Sequence, residues 1–215
     1  MHYLVSALTR RPVLLLTLAL GACDSSRTAT ERADPNPPAA SAVPAAVSFQ
    51  KELSRGDYTF AVQTLGSGSQ RQLNLRAERL GRELAATTAT IEGSVSDVVV
   101  ANLNNDEYPE LLVFVTDAGS GSYGQLLGYE FLSRGRRNLV LPELEGELAA
   151  GYLGHDSFRV DGRTLIRSFP LYRPDDPNST PSGGTRTIEY VMPRKEGLIS
   201  VARHYDAPQG AEAVR

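Results

Sequence analysis

The residue types and spacing most suggestive of chemistry occur in a glycine-rich stretch, residues 117–124, which reads Asp-Ala-Gly-Ser-Gly-Ser-Tyr-Gly. The glycines at 119, 121 and 124 match the G-x-G-x-x-G pattern that binds dinucleotide phosphates at the start of a helix. The segment that follows, 125–131, has aromatic residues at alternate positions and a central glycine, which is typical of a strand. Because a phosphate would find no helix N-terminus here, the sequence predicts no nucleotide site.

A catalytic serine is a second interpretation of the same stretch. Neither Ser120 nor Ser122 has glycines two residues away on both sides, as the G-x-S-x-G motif requires. His155 could act as a base, with Asp156 beside it. Adjacent residues of a strand point to opposite faces, so Asp156 would orient His155 poorly. A structural histidine is therefore favoured over a serine hydrolase.

A calcium loop is the third candidate, because Asn102, Asn104 and Asp106 alternate and Glu110 lies nearby. The EF-hand pattern also needs glycine at its sixth position and glutamate at its twelfth, and this chain has glutamate and valine there. A plain hairpin turn is favoured. One cysteine and three histidines also argue against a multi-cysteine or polyhistidine metal centre. The sequence thus predicts no metal and no cofactor, and it singles out no pair of carboxylates for glycoside hydrolysis.

What remains is a small-residue loop that carries two serines and Tyr123 between two strands. Its glycines allow a narrow tip, and tyrosine is an enriched residue in protein interfaces. The loop suits a protein-binding protrusion, but it equally suits a tight hairpin whose tyrosine caps the core. The residues alone leave both interpretations open.

The elements that must position this loop are strands. Period-two alternation in 72–78 favours a strand over a helix, and the almost wholly apolar runs 98–103 and 111–116 predict central strands covered on both faces. Turn residues at 104–107 join these two runs as a hairpin. Further strands are expected at 58–62, 89–91, 123–131, 157–160, 164–169, 185–192 and 198–204. The sequence predicts an all-β fold, an antiparallel β-sandwich, with one short helix near 49–55 and a long exposed loop at 175–184.

The first part of the chain has the pattern of an export signal. The net charge of the 215-residue chain is −3, whereas a nucleic-acid binder needs a basic surface, so this class of protein is not favoured. Arg10 and Arg11 precede a short apolar run that ends at Leu20-Gly-Ala-Cys23. This junction resembles the bacterial lipobox, which implies a signal peptide over 1–22 and a lipid on Cys23.

The lipobox resemblance implies a periplasmic location on a bacterial membrane. Asp24 resembles the signal that keeps lipoproteins in the inner membrane, which favours that membrane. Residues 23–47 are rich in alanine and proline and predict a disordered tether. The folded domain is expected over 48–207, with a disordered tail at 208–215.

Several segments of the predicted domain, in order, resemble a known family. They are Ile91-Glu-Gly-Ser-Val-Ser-Asp97, Asn102-Leu-Asn-Asn-Asp106 with Pro109-Glu110, Ala118-Gly-Ser-Gly-Ser-Tyr-Gly124, Gly151-Tyr-Leu-Gly-His-Asp156, Arg167-Ser-Phe-Pro-Leu-Tyr172 and Gly183-Gly-Thr-Arg186. Together they resemble the bacterial inhibitors of invertebrate-type (I-type) lysozyme. The chain departs from the family in its lipobox and in the turn at 105–107, which lacks the usual glycine.

The resemblance implies a non-enzymatic inhibitor that protects peptidoglycan, with a protruding loop in the lysozyme cleft. The family's Ser-Gly-x-Tyr motif falls on Ser120, Gly121, Ser122 and Tyr123. Carried over, Ser120 would hydrogen-bond a catalytic carboxyl group and Tyr123 would fill the cleft. Arg186 is a further candidate contact, with a core-edge ion pair as its alternative. The rival functions are an envelope adaptor for the cell's own murein enzymes and a cell-wall glycosidase. Monomer and dimer are both left open.

Overall fold

A computed structural model describes residues 45–193 and 198–210 of the chain. These residues form twelve strands in three four-stranded sheets, each a meander of consecutive strands. The first sheet contains β1 (Val47–Arg55), β2 (Tyr58–Leu65), β3 (Gln70–Arg79) and β4 (Arg82–Glu92). The second contains β5 (Ser94–Ala101), β6 (Glu110–Thr116), β7 (Gly124–Phe131) and β8 (Arg136–Leu139). The third contains β9 (Ser157–Asp161), β10 (Thr164–Pro170), β11 (Thr185–Val191) and β12 (Ser200–Ala207).

Every strand in these sheets pairs antiparallel with its neighbours. The all-β antiparallel sandwich expected from the sequence is therefore confirmed. The predicted strand at 72–78 lies within β3, and its inward residues Leu73, Leu75 and Ala77 are buried. The turn at 104–107 joins β5 to β6 as a hairpin, as predicted.

The second sheet is the middle layer, because its two faces contribute to two different hydrophobic cores. Leu111, Val113 and Val115 of β6 pack with the first sheet, around Phe60 and Leu73. The alternate residues of β6, Leu112 and Phe114, pack with the third sheet. This division follows from the period of two along a strand, and it confirms that the apolar run 111–116 is covered on both faces.

The short helix predicted near residues 49–55 is wrong, because this segment is β1. Phe49 and Leu53 are four residues apart, a spacing that suits either a helix or a strand. A tight turn at Gly56, whose φ is +56°, brings the segment beside β2. Residues 49–55 then pair in register with 58–64, and Phe49, Lys51 and Leu53 face the partly buried side. The gain in ladder hydrogen bonds and burial decides against the helix.

Two elements were not foreseen: the short strand β8 and a 3₁₀ turn at Gly146–Ala149. Both are four residues long and carry no usable periodicity. In the part of the chain that the structure describes, no helix has the length and apolarity needed to cross a membrane.

Candidate functional site

The glycine-rich loop, residues 117–123, connects β6 to β7 in the middle sheet. Its two ends are joined where the Asp117 N–H donates to the Tyr123 carbonyl, with 2.9 Å between N and O. At the tip, the Ser122 N–H donates to the Gly119 carbonyl at 3.0 Å, and Ser122 adopts a φ of +45°. The Asp117 side chain accepts a further hydrogen bond from the Gly119 N–H. The loop is a closed turn with its own internal hydrogen bonds.

The loop presents a serine and a tyrosine to solvent. Ser120 is exposed, and the Tyr123 side chain is 41% exposed. The edge of the Tyr123 ring packs against Tyr152, with 5.6 Å between the centroids, and Tyr152 packs in turn on buried Phe169 at 4.6 Å. The Tyr123 ring is therefore only partly covered by the core, and its exposed part is accessible to a partner.

Gly121 fits where a larger residue would not. A Cβ at this position would overlap the Tyr123 ring. The Gly121 carbonyl accepts a hydrogen bond from the His155 N–H at 2.7 Å, and a Cβ on neighbouring Gly154 would overlap that carbonyl. Gly154 also has a φ of +95°, which side chains rarely adopt. The loop and the 151–156 segment therefore approach at backbone distance.

A buried polar cluster holds the C-terminal end of the loop. Asp156 accepts hydrogen bonds from the Gly124 N–H at 2.7 Å, from the Tyr152 hydroxyl at 2.6 Å and from Arg167 Nε at 2.6 Å. Arg167 also donates to the Tyr152 hydroxyl oxygen at 2.7 Å. Burial raises the pKa of Tyr152, and the hydrogen bond that Tyr152 donates to Asp156 raises it further. The cluster is charge-balanced and fully hydrogen-bonded around one carboxylate.

This cluster bears on the role of His155. Asp156 binds Tyr152, Arg167 and the Gly124 N–H instead of the imidazole, which agrees with the expected outcome. The expected reason is wrong, because His155 and Asp156 precede β9 and do not alternate on a strand. The backbone of His155, with a φ of +58°, supports the loop through Gly121. This is the structural role favoured from the sequence.

The loop predicted at 175–184 lies against the glycine-rich loop. Asp176 folds it by accepting hydrogen bonds from the Arg173 N–H at 2.8 Å and from the Ser182 N–H at 2.7 Å. The pKa of Asp176 lies below its ordinary value, mainly because the carboxylate accepts the hydrogen bond from the Arg173 N–H. Asn178 then donates from Nδ2 to the Ser120 carbonyl at 3.2 Å.

Arg186 lies on β11 and is buried. Its guanidinium donates twice to Asp206, with both N···O distances at 2.7 Å, and also to the backbone carbonyls of Glu147, Leu148 and Ala150. These donors are used within the chain, which corresponds to the ion-pair alternative from the sequence. Arg186 therefore presents little surface to a partner. Cys23, the signal peptide and most of the tether lie outside the described residues.

The sequence did not reveal four residues that support the loop: Tyr152, Asp156, Arg167 and Asn178. The first three lie in the segments that resemble the lysozyme-inhibitor family, but nothing in the sequence pairs them with one another. Asp156 and Gly124 are 32 positions apart, and Asn178 and Ser120 are 58 apart. The available signal was Arg167, a charged residue within the otherwise largely apolar strand β10.

No family model, no curated protein and no solved structure matches this chain.

Proposed function

We propose that this protein is a lipid-anchored inhibitor of I-type lysozyme, in which the loop of Ser120, Gly121, Ser122 and Tyr123 enters the lysozyme's active-site cleft. The observation that carries the proposal is the arrangement of this loop. It combines an exposed serine with a half-exposed tyrosine, and the backbone at Ser120, Gly121 and Gly124 is hydrogen-bonded to two neighbouring segments, 151–156 and 175–184. The sequence resemblance supplies the partner.

The supports of the loop favour binding because they fix its shape in advance. His155 holds Gly121, Asp156 holds Gly124, and Asn178 holds Ser120. A loop that is already ordered loses less conformational entropy on association than a flexible one. The exposed Tyr123 ring rests on Tyr152, so it keeps an apolar face for a partner at little entropic cost.

The chemistry of a glycosidase cleft suits these two side chains. Retaining glycosidases have two carboxyl groups about 5 Å apart, and a hydroxyl group placed between them can take the position of a substrate oxygen. In the proposal, Ser120 donates to or accepts from the catalytic carboxyl, and Tyr123 covers the neighbouring subsite. The inhibitor blocks access and undergoes no chemical change.

A cell-wall glycosidase is less well supported than an inhibitor. Asp106, Glu110 and Glu130 form a cluster of three carboxylates among the described residues, and Glu110 and Glu130 are fully buried. A polysaccharide would not reach them. The proposal therefore places the protein's action in its loop.

The test is an inhibition assay with the full-length protein, purified in a mild detergent, against a panel of lysozymes of different types. We expect stoichiometric inhibition of an I-type enzyme. Ser120→Ala together with Tyr123→Ala should weaken it by about 2 kcal/mol or more, near thirtyfold. The matched control is Ser133→Ala with Tyr205→Ala, because Tyr205 is 46% exposed and Ser133 is exposed. The proposal would be wrong if the folded wild-type protein inhibited none of the I-type enzymes at micromolar concentration.

The adaptor alternative uses the same loop on a different target. In that case the protein would capture an endogenous murein enzyme from an envelope extract, the loop variants would lose it, and no I-type lysozyme would be inhibited.

The anchor is tested separately. We expect the wild-type protein to incorporate labelled palmitate and to sediment with membranes, and Cys23→Ser to abolish both. A Cys23→Ser variant that stays fully membrane-bound would remove the lipid from the proposal and leave the loop's role unaffected.

A further inference from the structure

Three acidic side chains meet at the end of the middle sheet, beside the β5–β6 hairpin. They are Asp106 in the turn, Glu110 at the start of β6 and Glu130 on β7. Glu110 and Glu130 are direct cross-strand neighbours in the antiparallel register. One carboxylate oxygen from each of the three residues lies within 4.8 Å of the other two.

The burial of these groups is unusual for carboxylates. Glu110 and Glu130 have no exposed surface. Glu130 is paired, because Arg137 donates to Oε2 and Asn104 donates to Oε1 at 2.8 Å. Glu110 is only half satisfied. Its Oε2 accepts the Leu103 N–H at 2.8 Å, but its buried Oε1 has no hydrogen-bond partner. A buried polar atom without a partner destabilises the folded state, and more so when it is charged.

The charges in the cluster do not balance. Among the described residues, Arg137 is the cation paired with this group, and with all three carboxylates ionised the net charge is equal and opposite to that of one divalent cation. The buried Oε1 of Glu110 lacks a hydrogen-bond donor in this group of carboxylates, and a cation would satisfy it.

We propose that Asp106, Glu110 and Glu130 bind a divalent cation, Ca²⁺. The donor atoms are all oxygens, which hard cations prefer, and Ca–O bonds of about 2.3–2.6 Å place the ligands of one ion within about 5 Å of each other. The unpartnered Oε1 of Glu110 gains a ligand bond, and the excess negative charge is neutralised. The sequence analysis predicted no metal. It could not reveal this site, because Glu130, which completes it, lies 20 or more positions along the chain from Glu110 and Asp106. It does not rest on the proposed function.

The turn that carries Asp106 is ordered by amide side chains. The Asp106 N–H donates to Asn102 Oδ1 at 3.1 Å and to Asn104 Oδ1 at 3.0 Å. The Asp106 carboxylate accepts the Tyr108 N–H at 2.7 Å. Asp106 is partly exposed, so this residue offers the ion its route from solvent.

The experiment is a calorimetric titration of the full-length protein, stripped with EDTA, with CaCl₂ and separately with MgCl₂. We expect one Ca²⁺ per chain, a higher melting temperature with Ca²⁺ than with EDTA, and weaker binding of Mg²⁺. A second measurement uses Tb³⁺ as a probe. The chain has no tryptophan, so Tb³⁺ luminescence would be sensitised by nearby Tyr108 and be quenched by added Ca²⁺.

The variants are Asp106→Asn and Glu110→Gln, with Asp161→Asn as the control, since the Asp161 side chain is 74% exposed. Each cluster variant should weaken Ca²⁺ binding by about tenfold or more, and the control should bind as the wild type does. Without Ca²⁺, Glu110→Gln should unfold at or above the wild-type temperature, because it removes a buried charge.

Two results would overturn the proposal. One is that the folded wild-type protein binds no Ca²⁺ at millimolar concentration and gives no sensitised Tb³⁺ emission. In that case a proton on Glu110, instead of a metal ion, would neutralise its carboxylate. The other is unchanged Ca²⁺ affinity in the folded Asp106→Asn variant.

Discussion

The carboxylate of Asp156 accepts a hydrogen bond from the backbone N–H of Gly124, with 2.7 Å between O and N. Gly124 is the first residue of β7, so this bond fixes the point where the glycine-rich loop rejoins the middle sheet. The same carboxylate forms an ion pair with Arg167 of the third sheet, which links the loop to the core. The loop's position is thus determined by a buried charge pair, in addition to its own turn.

Asp156→Ala tests this link. The change leaves the Arg167 guanidinium, which is itself nearly buried, without its counter-ion. Removing one partner of a buried pair costs about 3–5 kcal/mol, so the free energy of unfolding should fall by that amount. Urea denaturation followed by circular dichroism measures it. Asp161→Ala, in an exposed pair, is the control and should change stability by less than about 0.5 kcal/mol. A loss below 1 kcal/mol in Asp156→Ala would show that the pair does not hold the loop.

Gly121→Ala separates the shape of the loop from the stability of the domain. The added Cβ would overlap the Tyr123 ring and crowd the Leu153 carbonyl, so the half-exposed ring must shift from its place on Tyr152. We expect inhibition of the lysozyme to weaken about tenfold or more, and the free energy of unfolding to fall by only about 1 kcal/mol. Inhibition constants and urea denaturation provide the two readouts. Gly68→Ala is the matched control, because its Cβ would meet no atom closer than 3.9 Å. Undiminished inhibition by Gly121→Ala would mean that the Tyr123 position is unimportant.

The Arg186–Asp206 pair predicts a pH dependence of stability. The hydrogen bonds from Arg186 lower the pKa of Asp206 below its ordinary value of 3.8. A carboxyl group with a lowered pKa in the folded state stabilises the protein above its unfolded pKa, and this contribution is lost as the pH falls through the folded pKa. Asp206→Asn should therefore cost about 1–2 kcal/mol at pH 7 and progressively less below about pH 4.

This prediction is measured by urea denaturation of both proteins at pH 7, 4 and 3. The half-exposed position of Asp206 and the three carbonyls that also hold Arg186 keep the expected cost moderate. Equal stability of the two proteins at pH 7, or a difference that grows in acid, would contradict the assignment.

The strands could be predicted from the sequence because their signal is local. Alternation in 72–78 identifies β3 and its inward face, and the apolar run 111–116 identifies a strand covered on both sides. Glycine, asparagine and aspartate locate the turns. At residues 49–55 the local pattern was ambiguous, and pairing with β2 decided it. The glycine-rich loop was likewise visible as a set of residue types.

Only the tertiary structure could determine the partners of the polar residues. Asp156 with Gly124, Asn178 with Ser120, Arg186 with Asp206 and Glu110 with Glu130 are all brought together by strand register or loop packing. A shift of one residue in register would turn the strand residues Glu110, Arg186 or Asp206 to the opposite face. The sequence by itself therefore determined the β architecture and the chemically distinctive loop. The fold decided which side chains support that loop, and it brought the carboxylates of the proposed Ca²⁺ site together. Contacts between distant segments depend on strand register and loop packing, and no local sequence pattern records either of them.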